Sequence, residues 1–176
     1  QRRATPTEFI LHIFSAVLCG RVFLCFAARR LCEWDLFTTS REPSFLLAIT
    51  GLDGPVGRDQ RLGVALLDLT TGEFQVAEYA GVDARVGLND EIAVLRPREI
   101  VVAAGTDVAA VFPAVKDAAI AVTPVDAWTF DPARGVQTLC DQLQVAGLQG
   151  FGLDHRPAAV GAGGALVTYL RDTQKA

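Results

Sequence analysis

The sequence predicts an α/β fold, a mixed sheet made of an antiparallel meander plus parallel strands and flanked by helices. Three strand-like segments follow one another between Ser44 and Tyr79, separated by turn-forming stretches. Helix and strand patterns then alternate towards the C-terminus, the order that suits a sheet covered by helices. A hydrophobic content of 51%, with 16 Gly and 8 Pro, fits a compact α/β domain and argues against disorder. The 176 residues leave room for one ordinary domain of about 100 to 150 residues, and a second full domain would not fit comfortably.

"SFLLAITGL" (44–52) is a short apolar run ending in Gly, and the turn formers of "DGPVGRDQ" follow it, so it reads as strand then loop. "RLGVALLDL" and "GEFQVAEY" are two further strands joined across Thr70, Thr71 and Gly72. Leu88, Ile92 and Leu95 fall at i, i+4 and i+7, which predicts an amphipathic helix over Ala84 to Arg96, stopped by Pro97. "EIVVAA" follows as a buried strand, Asp107 caps a short helix through Val115, and "AAIAVTPV" supplies a fifth strand. The next helix has Asp131 as N-cap and Pro132 in the first helical position. Val136, Leu139, Cys140 and Leu143 form its apolar face, and Gly147 is its stop. A last helix spans about Pro157 to Thr173. Its small residues, "AAVGAGGAL", allow a neighbouring backbone to come close, and Val160, Val167 and Leu170 supply an apolar stripe.

The leader is different in kind. Phe9 to Phe37 reads "FILHIFSAVLCGRVFLCFAARRLCEWDLF", apolar enough to suggest a signal peptide or a membrane helix. Against this, Arg21 falls in the middle of the best window, where a charge costs about 2.5 to 3.5 kcal/mol on insertion scales. His12 adds to the cost, and no A-x-A cleavage site precedes a mature start. The alternatives are an irregular helix on the body or translated sequence foreign to it. Cys19, Cys25 and Cys32 lie in this leader and only Cys140 in the body, so neither a disulfide framework nor a paired C-x-x-C zinc pattern forms, and a reducing, cytoplasmic setting is expected. The lack of Met, even at position 1, suggests a fragment or a processed product.

Residues 1–45 carry six Arg against four acids, and the remainder carries ten Lys or Arg against sixteen acids. So acidic a body is a poor stand-alone binder of nucleic acid, because non-specific affinity comes mainly from cations that neutralise phosphates. Asp68, at the end of an apolar run and just before Thr-Thr-Gly, invites comparison with ribonuclease H-like nucleases, which use the same element order. Two-metal chemistry needs several convergent acids, and the others here sit at exposed-looking positions: Glu73 and Glu78 on the second hairpin strand, Asp90 and Glu91 on the helix. Asp68 therefore reads as an acceptor supporting the turn.

Other motifs fare no better. Gly161 to Gly164 lack the Lys-Ser/Thr of a phosphate loop, and the third glycine of G-x-G-x-x-G would fall on Leu166. In "GLQGFG" (147–152), His155 stands where the third glycine after Gly150 and Gly152 is needed. Cys140 with His155 could form a thiol and its base, but a Cys on an apolar helix face is usually an inert small hydrophobe and His155 reads as a loop residue. Trp34 and Trp128 are not interleaved with basic residues, so no stacking platform for single strands is expected.

Several phrases taken together, "REPSFLLAI", "GVALLDLTTGEFQVAEY", "EIAVLRPREIVV", "GFGL" and "AVGAGGALVTYLRDTQ", resemble the connector domain (domain II) of the DNA mismatch repair protein MutS. The resemblance covers Arg41 to Gln174 and divides the chain into a leader, 1–40, which is not family-like and is assigned no role, and a connector-like domain, 41–176. It implies a ribonuclease H-like fold without nuclease activity. The domain would join the mismatch-recognition domain to the lever and ATPase domains and offer a surface to MutL, with contacts sought on exposed hairpin and helix surfaces and at Asp172, Thr173 and Gln174. Neither the Phe-x-Glu mismatch reader nor a Walker-type loop occurs here. Mismatched DNA would thus be met only through other domains, ATP and magnesium would belong to the full-length family, and no cofactor, metal, catalytic residue or membrane contact is assigned to this chain. The alternatives are a metal-dependent nuclease of the same fold and a domain tethered to a membrane by its leader.

Overall fold

The computed structural model describes residues 43–54 and 56–173, together with the backbone of residues 11–13. The body begins with β2 (Phe45–Thr50), buried from Leu46 to Ile49. Burial on both sides suits a run with no polar residue, and it makes this strand the centre of the sheet. Next come β3 (Arg61–Asp68) and β4 (Phe74–Ala80), which complete the antiparallel meander. Helix α1 (Ala84–Leu95) buries Ala84, Leu88 and Ile92 and ends with Arg96 in the left-handed region at φ 46°. Strand β5 (Glu99–Ala103) then pairs parallel to β2, and β6 (Ala121–Val125) parallel to β5. Pro124, which has no N–H to donate, is tolerated because β6 is an edge strand.

The short strand β1 (Leu11–Ile13) lies antiparallel to β4, with Leu11 opposite Val76 and Ile13 opposite Phe74. These three residues of the leader are therefore extended, where a helix was an expectation. The edge of β4 offers a row of open backbone donors and acceptors that an extended segment can pair with. The rest of the leader, with Trp34, its three cysteines and the suggested membrane segment, lies outside the described residues.

The strand order is β1-β4-β3-β2-β5-β6. Without the β1 addition this is the five-stranded mixed sheet of the ribonuclease H-like fold, flanked by helices on both faces. On one face lie α1 and two short helices, α2 (Val108–Val111) and α3 (Pro113–Asp117), around Leu47, Ile49, Leu62, Val64, Leu88 and Phe112. On the other lie α4 (Pro132–Leu143) and α5 (Pro157–Thr173) around Leu46, Ala65, Leu67, Val76, Leu139 and Leu166.

Three expectations need correction. The single helix from Asp107 through Val115 is two helices. Asp107 caps the first by accepting from the Ala110 N–H at 3.1 Å, but Phe112 is extended, as the residue before Pro113 must be, and the chain restarts there. Helix α4 ends at Leu143, well before Gly147, because Gln144 turns left-handed at φ 55° and its N–H closes on the Cys140 carbonyl. Val136 is 42% exposed and does not join the apolar face of α4. The buried position beside it is Gly135, which faces α5.

The contact between α4 and α5 explains the glycines. A Cβ on Gly164 would run into the Gly135 backbone, one on Gly135 would come within 2.5 Å of the Val160 carbonyl, and one on Gly161 within 2.5 Å of the Phe130 carbonyl. The first turn of α5 meets the sheet in the same way, since a Cβ on Gly63 would overlap the Ala158 backbone.

Candidate functional site: the end of the sheet where the chain comes in and leaves

In the register, Phe45 of β2 faces Asp68 of β3 and Leu46 lies beside Glu99 of β5. The start of β2, the β3–β4 corner and the start of β5 therefore share one end of the sheet. The last turns of α5 reach the same end, because the Tyr169 hydroxyl donates to Glu99 Oε1 at 2.7 Å. Consequently Pro43 and the last turn of α5, the two ends of the described body, both lie here.

Two polar clusters hold this end. In the first, Asp68 Oδ1 accepts from the Thr70 N–H at 2.8 Å, the Thr70 hydroxyl at 2.7 Å and the Ser44 N–H at 3.4 Å, and Oδ2 accepts from the Thr71 hydroxyl at 3.0 Å. Backbone bonds reinforce it: Leu69 N–H to the Ser44 carbonyl at 2.8 Å, Asp68 N–H to the Glu73 carbonyl at 2.9 Å and Gly72 N–H to the Asp68 carbonyl at 2.8 Å. Gly72 sits at φ 76°, which a residue with a Cβ adopts only at a cost. Burial pushes the Asp68 carboxyl up, but the hydrogen bonds from Thr70, Thr71 and Ser44 together outweigh it and hold the acid below the usual carboxylate range. Asp68 is thus the turn acceptor that the sequence suggests, and it binds the start of β2 to the hairpin.

The second cluster is Glu99, Thr123 and Tyr169. Glu99 Oε1 accepts from both the Tyr169 and the Thr123 hydroxyls, so one carboxylate links β5, β6 and α5. Burial pushes the Tyr169 phenol up, the Glu99 hydrogen bond and charge add to the shift, and a bond to Thr123 opposes it. Sequence reasoning missed this cluster. Its members are 24 and 70 residues apart, and no local pattern connects them. Below them, Arg171 donates to Gln142 Oε1 at 2.8 Å and the Thr173 hydroxyl to the Tyr169 carbonyl at 2.9 Å. Asp172 and Thr173 are exposed on the last turn of α5, while Gln174 lies outside the described residues.

The nuclease reading finds no support. Both oxygens of Asp68 are already engaged by Thr70, Thr71 and Ser44. Glu78, an exposed-looking position in the sequence, is 3% exposed and points to the face opposite Asp68: it bonds Arg61 at 2.8 Å and faces Gly63, onto which α5 presses. Its Oε2 has no hydrogen-bond partner among the described residues. Asp90 is exposed and Glu91 half-buried on α1. Among the described residues no three His, Cys, Asp or Glu side chains are grouped to hold a metal.

The remaining motifs have structural roles. Gly161 to Gly164 lie inside α5 and serve its packing. Gly147 to Gly152 form a loop with one short 3-10 turn, Gln149–Phe151. Cys140 packs at the margin of the α4–α5 core, and His155 is exposed in the loop before α5. Trp128 does have a basic neighbour: the Arg134 guanidinium stacks 4.8 Å from its ring centroid, one cation–π pair that the sequence spacing concealed. Among the described residues no helix is long and apolar enough to cross a membrane.

Compared with known protein families, residues 44–176 match the family model of MutS domain II. The match covers the whole described body from Ser44 onwards.

Proposed function

Given that the chain belongs to the MutS domain II family, a family of DNA mismatch repair, we propose that it is a non-catalytic connector. In this reading it joins a mismatch-recognition domain to lever and ATPase domains and offers a surface to MutL. The observation that carries the reading is the shared end of the sheet. The described body from Pro43 onwards begins beside Asp68 and its last helix ends just beyond Tyr169, and each of these points is tied by hydrogen bonds to strands of one sheet. A displacement of one neighbouring domain is therefore handed to the other through a short, stiff path. Such a path transmits a nucleotide-dependent movement if the body has two alternative packings against its neighbours. ATP, magnesium and mismatched DNA would be handled by those neighbours, in the cytoplasm.

Asp172, Thr173 and Gln174, at the point of departure, are the proposed MutL contacts. The test is made in a full-length MutS-type protein carrying this domain. Reversing the charge at Asp172 with Asp172→Lys, together with Thr173→Glu, is expected to reduce MutL recruitment to mismatched DNA by tenfold or more, as the loss of rim charge and contact at a partner surface would. Unchanged recruitment removes these residues from the interface.

A further inference from the structure

Helix α1 starts at the end of β4 and descends towards β5, so among the described elements the lower part of β3 and β4 lies uncovered beside its C-terminal half. The result is a groove of about 690 Å³ between α1 and the sheet. Leu66 and Ala77 on its floor are half-buried, whereas Ala65, Leu67 and Val76, their neighbours on the opposite face, are buried. On its rim Val94 is 81% exposed. Among the described residues, every charged one that lines the groove is acidic: Asp68 and Glu73 at the hairpin corner, Asp90 and Glu91 on α1. An apolar floor between two acidic banks is a poor surface to leave in water, and it complements only one kind of occupant.

We propose that this groove is a docking site for an amphipathic segment of a second polypeptide, one that lays an apolar stripe on Leu66 and Val94 and carries Arg or Lys on both flanks. The charge and shape of the groove support this docking independently of the MutL contacts proposed at the end of α5. Short apolar helices are commonly bound in such clefts through residues at i, i+3, i+4 and i+7. Cations on either side of that stripe would fall opposite the hairpin acids and the α1 acids.

The test uses the 176-residue chain and a fluorescent 18-residue peptide of Leu and Arg, designed with its leucines on one helical face. A second peptide has each Arg replaced by Glu, and a third has each Leu replaced by Ser. The first is expected to bind at least tenfold more tightly than either other. Binding should weaken at least tenfold in Asp90→Lys and in Val94→Asp, two exposed positions that leave the core untouched, and should be unchanged in Asp141→Lys on α4. Equal binding of the leucine-free peptide reduces the effect to non-specific charge and overturns the proposal. So does a loss in Asp141→Lys equal to that in Asp90→Lys. A concentration-dependent dimer that Val94→Asp dissociates would assign the groove to a second copy of this chain and would equally overturn it.

Discussion

On the α4–α5 face of the sheet, backbone meets backbone. Gly135 and Gly164 place the two helices at a distance that no Cβ would allow, Gly161 brings α5 as close to the Phe130 carbonyl, and α5 is buried continuously from Ala159 to Val167. On the α1 face, by contrast, one amphipathic helix covers part of the sheet with ordinary side-chain contact. Gly87 of α1 meets nothing nearer than the Tyr79 ring at 3.8 Å, and Leu66 and Ala77 stay half-buried. Both faces present aliphatic side chains of similar strands. The difference therefore arises in the covering helices: a run of small residues gives close, unforgiving packing, and a spaced stripe of Leu and Ile gives a looser cover with room beside it.

The largest expected effect tests the close face. Gly164→Val forces a branched side chain into the Gly135 backbone and is expected to cost about 3 kcal/mol, at the upper end of overpacking effects, as read from urea unfolding at equilibrium. A loss under about 1 kcal/mol would mean that the two helices can separate freely, and the contrast between the faces would collapse.

Next comes the Asp68 corner, at the mouth of the loose face. Asp68→Asn removes a charged acceptor from Thr70, Thr71 and Ser44 and is expected to cost about 1 to 3 kcal/mol at pH 7. The folded acid has a lowered pKa, so its contribution is present above the unfolded value, near 3.8, and is lost as pH falls through the folded value. The stability difference between the parent and Asp68→Asn should thus be constant from pH 5 to 7 and shrink progressively in stronger acid. A difference that does not change with pH would show that the carboxylate charge contributes nothing to the corner.

Tyr169→Phe, on the close face, deletes the bond to Glu99 and is expected to cost about 1 kcal/mol. The phenol has a raised pKa, so its stabilisation is complete below about pH 10 and is lost as pH rises from there through the folded value. Ultraviolet titration should accordingly show a late-ionising tyrosine that the Phe variant lacks. A parent protein with no late-ionising tyrosine would contradict the cluster. The smallest effect has the opposite sign: Gly87→Ala, with space for the methyl group, should stabilise by up to about 1 kcal/mol through helix propensity alone. The same kind of replacement would then harm one face and help the other.

Local signals accounted for most of the elements. Pro157 to Thr173 is a helix over the residues that the pattern of "PAAVGAGGALVTYLRDT" marks, and the three meander strands lie where their apolar runs end in turn formers. The errors fall where a local rule competed with another. Pro113 broke a helix that Asp107 had begun, and Gln144 supplied a left-handed stop before Gly147 could. Val136 was misplaced because a helical wheel favours the larger apolar residue, whereas a close helix pair turns its smallest residue inward. Glu78 was misplaced because strand alternation treats a carboxylate as an outward residue, and Arg61 with the first turn of α5 covers it.

By itself the sequence determined the order of the main strands and helices of the body, the hairpin corner at Asp68 and, through its ordered phrases, the MutS domain II family. These are properties of near neighbours along the chain, where backbone preference and hydrophobic period act within a few residues. Only the tertiary structure decided which residues at distance meet: Glu99 with Thr123 and Tyr169, Gly135 with Gly164, and the Asp90 and Glu91 bank across the groove from Asp68 and Glu73. Those meetings depend on the strand order and on how closely each helix can approach the sheet. Both are set by packing of the whole body, and no window of the sequence contains them.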